Sequence, residues 1–413
     1  MNKKGMLMLC IALFLFILLI ICMIVSIKMT PAKILTRYRH STNLKQDPRT
    51  LRFREDDTFT IIQFTDLHYG ESVEQDSNST RVMFDILKTE KQIDLAAFTG
   101  DQVAGYAHQH NRDILLSWID SLIPTVSHGI KFVTIFGNHD DEPFHIGPEA
   151  WKQSVEIILI LFSAAAVVMC LWDVKRFTTS NAHIFSVVVI AALVWIIYQV
   201  NPSSQMRQSI LRYEKHQFPI LSHSEAGPSS LPGMSNFYLP VYSRNSKVLL
   251  FFLDTGGGRS PEEMLQSQID WVKSISLQHG NPHAIAFFHI PSAEFSSVDK
   301  FKCIGNENTE TSSVVGGEAG SPMQDLAAAG IHAVFVGHDH RNSWCCVPKT
   351  RSEKLNTLAL CYGRHTGYGG YGDWTRGARV IRLKFDENSL FTVTTWLRME
   401  NGEQEMQGQI FPY

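Results

Sequence analysis

Phe59-Thr60-Ile61-Ile62-Gln63-Phe64-Thr65-Asp66-Leu67-His68 begins as an apolar, β-branched run and ends on two metal-type donors. Such a run reads as a buried strand, with Asp66 and His68 at its end. The arrangement recurs along the chain: residues 95–98 lead to Gly100-Asp101, 132–136 to Gly137-Asn138-His139-Asp140, 284–288 to His289, and 333–336 to Gly337-His338-Asp339-His340. Donors at the ends of successive strands converge on one edge of a sheet. One Asp-x-His alone is more often a satisfied structural pair than a ligand set. Five clusters at five strand ends point instead to a two-metal hydrolytic site built from residues far apart in sequence.

Between these strands the spacing turns helical. Residues 78–92 place Val82, Ile86 and Leu87 on one face, and 111–127 do likewise. This alternation predicts a mostly parallel sheet in that half. Further on, 206–216 reads as a helix, and 248–253 as a strand running into Asp254-Thr255-Gly256-Gly257-Gly258. Residues 261–277 read as a helix opened by Ser260, and the end is strand-rich at 358–361, 378–385 and 391–397. Two sheets face to face with helices outside fit this order. No Lys-Ser/Thr follows the three glycines, so they read as a turn that lets the chain pass close to the site rather than as a phosphate loop.

The clusters, in their order, resemble the calcineurin-like metallophosphoesterases, and within them the purple-acid-phosphatase-like branch of plants and fungi. The most specific stretches are Gly337-His338-Asp339-His340-Arg341-Asn342, then Leu360-Cys361-Tyr362-Gly363-Arg364-His365-Thr366-Gly367-Tyr368-Gly369-Gly370-Tyr371-Gly372, then Arg376-Gly377-Ala378-Arg379-Val380. The likeness covers residues 55–400 apart from one interruption. It implies an α/β fold, a four-layer α/β/β/α sandwich. It also implies a ligand set: Asp66, His68 and His340 for one metal, Asn138, His289 and His338 for the other, and Asp101 bridging both. Imidazole with carboxylate suits zinc, iron or manganese, each as a divalent or trivalent ion, better than calcium.

By the same resemblance His139, next to ligand Asn138, is the catalytic residue that stabilises or protonates the leaving oxygen. Asp140 is expected to orient a histidine. Arg364 and His365 are candidates for holding the substrate phosphate, with a surface turn as the alternative. One departure stands out. Purple enzymes owe their colour to an iron-tyrosinate three residues after the bridging aspartate, where this chain has Ala104; Tyr106 lies two places later. His68 supplies a nitrogen donor in place of that phenolate, so no charge-transfer colour is expected.

The charge of −3 and a charged fraction of 19% give no global field toward nucleic acid. Residues 6–27 form a charge-free apolar run long enough to cross a bilayer; a cleaved signal peptide is the alternative. Two more runs, 155–172 with only Glu156 charged and 184–200 with none, flank a polar connector bearing Lys175 and Arg176. They read as a transmembrane helical hairpin inserted at 153–201, against a pair of buried core helices or a gene-model error. The expected organisation is a transmembrane anchor at 1–28, a basic juxtamembrane stalk at 29–54, and a catalytic domain at 55–413 interrupted by that hairpin.

The expected activity is that of a membrane-anchored phosphatase hydrolysing phosphomonoesters by attack of a metal-activated water. Its substrate would be a phosphorylated small molecule, lipid or protein. The alternatives are a phosphodiesterase on nucleotides or lipids, and a catalytically idle membrane scaffold. Sidedness signals conflict. The basic stalk after residue 27 outweighs Lys3 and Lys4, which favours a cytosolic domain. The sequon at Asn78, a candidate glycosylation site, and Cys303, Cys345, Cys346 and Cys361 favour a lumenal or extracellular one, and that is the expectation taken. The cysteine spacing leaves the disulfide pairing open.

Overall fold

The computed structural model describes residues 50–110, 114–141, 202–257, 262–296, 301–305, 322–348 and 358–412. Among them no helix is long and apolar enough to cross a membrane. The expected anchor and hairpin, with most of the stalk, lie outside the described residues.

Among the described residues fourteen strands form two sheets. The larger joins β1 (Leu51–Arg52), β5 (Phe237–Tyr242), β6 (Lys247–Phe252), β7 (His283–Phe287), β9 (Ile331–Val336), β11 (Ala359–Tyr362), β10 (Cys345–Pro348) and β8 (Phe301–Ile304), in that spatial order. The smaller runs β14 (Gln404–Phe411), β13 (Phe391–Met399), β12 (Gly377–Phe385), β2 (Thr58–Phe64), β3 (Leu95–Thr99) and β4 (Lys131–Ile135). Pairing is parallel from β2 to β4, from β6 through β7 and β9 to β11, and between β1 and β5; the β5–β6, β11–β10–β8 and β2–β12–β13–β14 pairs are antiparallel. Helices α1 (Val73–Thr89), α2 (Ile114–Ser127) and α3 (Pro202–Gln217) cover the smaller sheet, and α4 (Gln266–Gln278) and α5 (Pro322–Ala328) the larger.

Three apolar layers follow from strand alternation. In β6, Val248, Leu250 and Phe252 enter the core between the sheets, while Leu249 and Phe251 pack under α4 with Ile269 and Val272. In β2, Ile61 faces the central core while Ile62 and Phe64 face α1 and α2. Both faces of these strands are buried, which is why they read as unbroken apolar runs. Across the larger sheet, Phe237, Phe252, Phe287 and Phe335 stack ring on ring with centroids 4.9, 5.2 and 5.2 Å apart. Removing one such ring costs about 3–5 kcal/mol.

Polar bonds tie the sheets together close to the ligand loops. Gln63 Nε2 donates to Thr99 Oγ1 at 2.9 Å and to the Val336 carbonyl of the other sheet at 3.1 Å. Arg379 in β12, fully buried, donates to the carbonyl of Tyr362 in the larger sheet, to that of Ser343 in the loop before β10, and to Thr395 Oγ1. Cys345 pairs in register with Cys361 and Cys346 with Cys303, and both pairs are disulfides. Adjacent residues of a strand point to opposite faces. One bridge therefore lies in the central core and the other under the helices.

Several helix boundaries differ from the expected ones; α3, for one, opens at Pro202 rather than at residue 206. Helix α1 starts at Val73, its cap being Ser72 Oγ on the Gln75 N–H at 3.2 Å, because the polar first turn hides the apolar spacing. Helix α4 begins at Gln266 rather than near residue 261, where Gln268 Oε1 accepts the Leu265 N–H at 2.9 Å.

Candidate metal centre

The donor loops leave the strand ends through unusual backbone. Asp66, His68, Asp101 and His338 have φ of 57, 49, 51 and 74°. Each such left-handed residue costs on the order of 1–3 kcal/mol and persists only where neighbours hold it. The neighbours are visible. Asp66, Leu67, His68 and Tyr69 donate their N–H groups to the carbonyls of Gly100, Asp101, Asp101 and Gln102 at 2.8–3.1 Å, zipping two loops together. Asp140 does not orient a histidine as expected. Its carboxylate accepts the N–H groups of Gly137, Asp101 and Val103 at 2.7, 3.0 and 3.0 Å, buckling the third loop to the second. Burial, with the nearby Asp101 charge, raises its pKa to about 7. Gly257 runs close to the site: at φ +106°, an added Cβ would overlap Asn138, while Gly258 lies outside the described residues.

The side chains form two groups. Ligand atoms of Asp66, His68 and His340 lie within 4.8 Å of one another, and so do those of Asp101, His289 and His338. Asn138 Oδ1 joins the second group at 3.2 Å from His289 Nε2 and 3.0 Å from His338 Nδ1. Asp101 Oδ2 reaches both groups, 3.0 Å from His289 Nε2 and 3.7 Å from His68 Nε2. All seven expected ligand residues thus come together, not at the edge of one sheet as expected but where the ends of β2, β3 and β4 of the smaller sheet meet those of β7 and β9 of the larger.

Backbone carbonyls set the tautomers. His289 Nδ1 lies 2.9 Å from the Thr99 carbonyl and His340 Nδ1 lies 3.1 Å from the Tyr371 carbonyl. A carbonyl can only accept, so Nδ1 carries a proton in both rings and Nε2 is the nitrogen turned inward to the other donors. Burial holds His68 well below its ordinary value, and it lowers His338 and His340 to about 4. Burial also raises Asp66 to about 7. Burial opposes the charge of His289 as well, yet the Asp101 and Asp66 carboxylates outweigh it and raise it to about 10. Burial works against the Asp101 carboxylate, but His289, His139 and His68 prevail and keep it well below its ordinary value. His68 Nε2 and His340 Nε2 face each other at 3.2 Å with Asp66 Oδ1 3.6 Å from the latter. Three neutral imidazoles, and a fourth at His289 held charged by Asp101 and Asp66, converge with buried carboxylates in a donor set that fits cations.

Residues 59–342 match the calcineurin-like phosphoesterase family. The chain belongs to that family. Its members depend on a pair of metal ions, in keeping with the two donor groups here. The chain is 26% identical over 402 residues to "Probable inactive purple acid phosphatase 28" of Arabidopsis thaliana, covering 87% of this chain and 85% of that one. It is 21% identical over 412 residues to "Phosphatase DCR2" of Saccharomyces cerevisiae, covering 91% of this chain and 60% of that one. Among solved structures, the purple acid phosphatase PPD1 of yellow lupin (Lupinus luteus) aligns at a TM-score of 0.46 and 9% identity, covering 86% of this chain and 54% of that one.

In this member of the family, His139 sits half-buried at the rim, outside both donor groups. Its ring is 5.3 Å from that of His68, and its N–H donates to Asp101 Oδ1 at 2.9 Å. Tyr106 meets it edge-on at 5.5 Å and gives its hydroxyl to Glu71, which also accepts the Gly370 N–H at 3.0 Å. Ala104 is fully buried.

The glycine-rich loop does not offer Arg364 and His365 to a phosphate in this arrangement. Arg364 Nε donates to the Thr375 carbonyl at 2.9 Å, and Nη1 lies 3.4 Å from Ser343 Oγ. His365 is buried behind His340, with ring centroids 3.9 Å apart. It accepts from Arg376 Nη1 at 2.9 Å and donates to the Gly369 carbonyl at 3.1 Å, so both its nitrogens are engaged. Its place is to back a ligand. Tyr371, which the sequence did not single out, stacks on His340 at 4.0 Å and accepts the His340 N–H on its hydroxyl at 3.1 Å. Asn78 is half-exposed on α1, where Thr80 of its sequon bonds the Asp76 carbonyl at 2.8 Å.

Proposed function

We propose that the chain is a membrane-anchored, dinuclear metal-dependent phosphatase that hydrolyses phosphomonoesters. The observation that carries this reading is Asp101, a single buried carboxylate within 3.7 Å of donor nitrogens in both groups. Zinc, iron or manganese ions, when bound, acidify water and draw charge off the phosphoryl oxygens. Asp66, His68 and His340 hold one ion, Asn138, His289 and His338 the other. The Thr99 and Tyr371 carbonyls hold a proton on Nδ1 of His289 and His340, which turns Nε2 of each toward that task. His139, at the rim and outside the ligand groups, gives a proton to the leaving oxygen or stabilises its charge.

The membrane part of the proposal is supported by the apolar runs at 6–27, 155–172 and 184–200. Asp141 is buried beside the site, and the second run starts 14 residues later, a tether of at most about 50 Å. Such a tether favours phosphorylated lipids or phosphoproteins held at the bilayer, where local concentration is high. A lumenal or extracellular catalytic domain is supported by the Cys303–Cys346 and Cys345–Cys361 disulfides, since such bonds persist in oxidising compartments.

The test compares the full chain with a form lacking 153–201, each reconstituted with membrane-bound and soluble phosphoesters. Preference for the membrane-bound ester should belong to the full chain alone; equal preference in both forms removes the membrane-substrate claim. Protease protection in sealed vesicles tests sidedness. An idle scaffold is the second reading, favoured by the word "inactive" in the name of the Arabidopsis relative.

A further inference from the structure

Arg207, in the second turn of α3, is 3% exposed and belongs to neither donor group. Its Nη1 donates to Asp254 Oδ1 at 2.7 Å. Its Nη2 donates to the Gly137 carbonyl at 2.9 Å, to Asp141 Oδ1 at 2.8 Å and to the Gly256 carbonyl at 3.2 Å. The guanidinium also lies over the Phe136 ring, 5.1 Å from its centroid. One cation therefore grips both segments around Asn138: the loop that carries it, and the 254–257 turn whose Gly257 abuts it.

We infer that Arg207 is a positioning residue for Asn138 and, through it, for the second of the two metal ions; the inference rests on the dinuclear reading above. Asn138 offers a neutral amide oxygen, the one uncharged oxygen donor among the seven ligands, so its hold on an ion depends on placement rather than on charge. The Gly137 carbonyl belongs to the peptide that enters Asn138, and fixing that carbonyl fixes the peptide plane from which the side chain departs. The anchor itself is rigid. Asp254 Oδ2 accepts the Met234 N–H at 2.7 Å and the Ser235 N–H at 3.2 Å. Two turns along α3, buried Glu214 accepts Trp118 Nε1 at 2.9 Å, Thr134 Oγ1 at 2.8 Å, Ser222 Oγ at 2.6 Å and Ser224 Oγ at 2.7 Å, locking the helix in place.

Two carboxylates flank the guanidinium, so its charge is already matched and it acts through geometry. Its hydrogen bonds reach the second ion's loop and the 254–256 turn, not Asp66, His68 or His340. Its loss should therefore be felt by one ion only. The fork matters as much as the charge, because a lysine ammonium cannot reach acceptors on both sides at once.

The test is Mn2+ titration of the full-length protein in detergent, after chelation, with bound metal counted and the paired and isolated ions distinguished by electron paramagnetic resonance. Arg207→Lys is the variant to read, because Arg207→Ala leaves Asp141 and Asp254 unpaired and threatens the fold. Wild type should take up two ions. Arg207→Lys should bind the first with unchanged affinity and the second about 10- to 100-fold more weakly, the usual cost of losing a ligand's support. Two ions at wild-type affinity in Arg207→Lys overturn the positioning role. Loss of both ions together overturns it too, by showing a general structural effect. A wild type that binds fewer than two ions strikes the dinuclear reading itself, a result distinct from either.

Discussion

His289 Nε2 lies 3.0 Å from Asp101 Oδ2 while the other nitrogen of its ring is held 2.9 Å from the Thr99 carbonyl. Asp101 is thereby fixed against one donor group and within 3.7 Å of His68 Nε2 in the other. Asp101→Ala should strip both ions, because this carboxylate alone serves both groups. His139→Ala should keep both and lose about 10²- to 10⁴-fold in turnover, the range for a positioned acid–base group. Metal analysis beside a phosphoester assay separates them; loss of metal in His139→Ala as complete as in Asp101→Ala contradicts these roles.

Gly370 is pressed against two ligands at once. At φ +72°, an added Cβ would overlap His340 Cε1 and come 2.9 Å from His68 Cδ2. Gly370→Ala should cost about 1–2 kcal/mol in backbone strain alone and weaken the first ion while leaving the second. Thermal melts and metal titration check both parts, and an unchanged first-ion affinity would show that the loop yields freely.

No tyrosinate colour is expected. Tyr106 gives its hydroxyl to Glu71, and Tyr371 turns its hydroxyl to the His340 N–H. The visible spectrum of iron-loaded protein should lack an intense charge-transfer band. Such a band, abolished in Tyr106→Phe, would place a phenolate on the metal and refute this geometry.

At the strand ends away from the ligand loops, His283 Nδ1 lies 2.7 Å from His332 Nε2 among Phe385, Phe391 and Phe411. Burial, then the neighbouring His283, lowers His332 from 6.5 to about 3. The unfolded chain thus binds a proton here before the folded one does. Stability should be full above pH 6.5 and fall as the pH drops from there toward about 3. Denaturant titrations across that range should show a shallower acid loss in His332→Gln; parallel curves would mean that another group governs the slope.

The central strands were legible because burial on both faces leaves no alternation to confuse them with surface strands, and the ligands follow directly at their ends. β5 carries Pro240, and β14 is largely exposed, so neither gave a strand signal. The site was legible where side chains do the work and obscure where the backbone does. Tyr371 acts on His340 partly through its carbonyl, and Asp140 binds three N–H groups rather than a histidine. Arg364 and His365 sit in a glycine-rich loop, and sequence alone does not tell which way such a loop faces. Arg207 is one of two arginines in a polar helix, and only the return of α3 to the Asn138 loop gives it a role.

The most direct measurement is hydrolysis of p-nitrophenyl phosphate by the full-length protein, first stripped with chelator and then titrated with Zn2+, Mn2+ or Fe2+. A dinuclear phosphatase gives no turnover when stripped, recovers it with at least one of these metals, and saturates at two ions per chain. Protein that binds the ions but stays inactive across all three metals, or is equally active without them, contradicts metal-dependent phosphoester hydrolysis by this site.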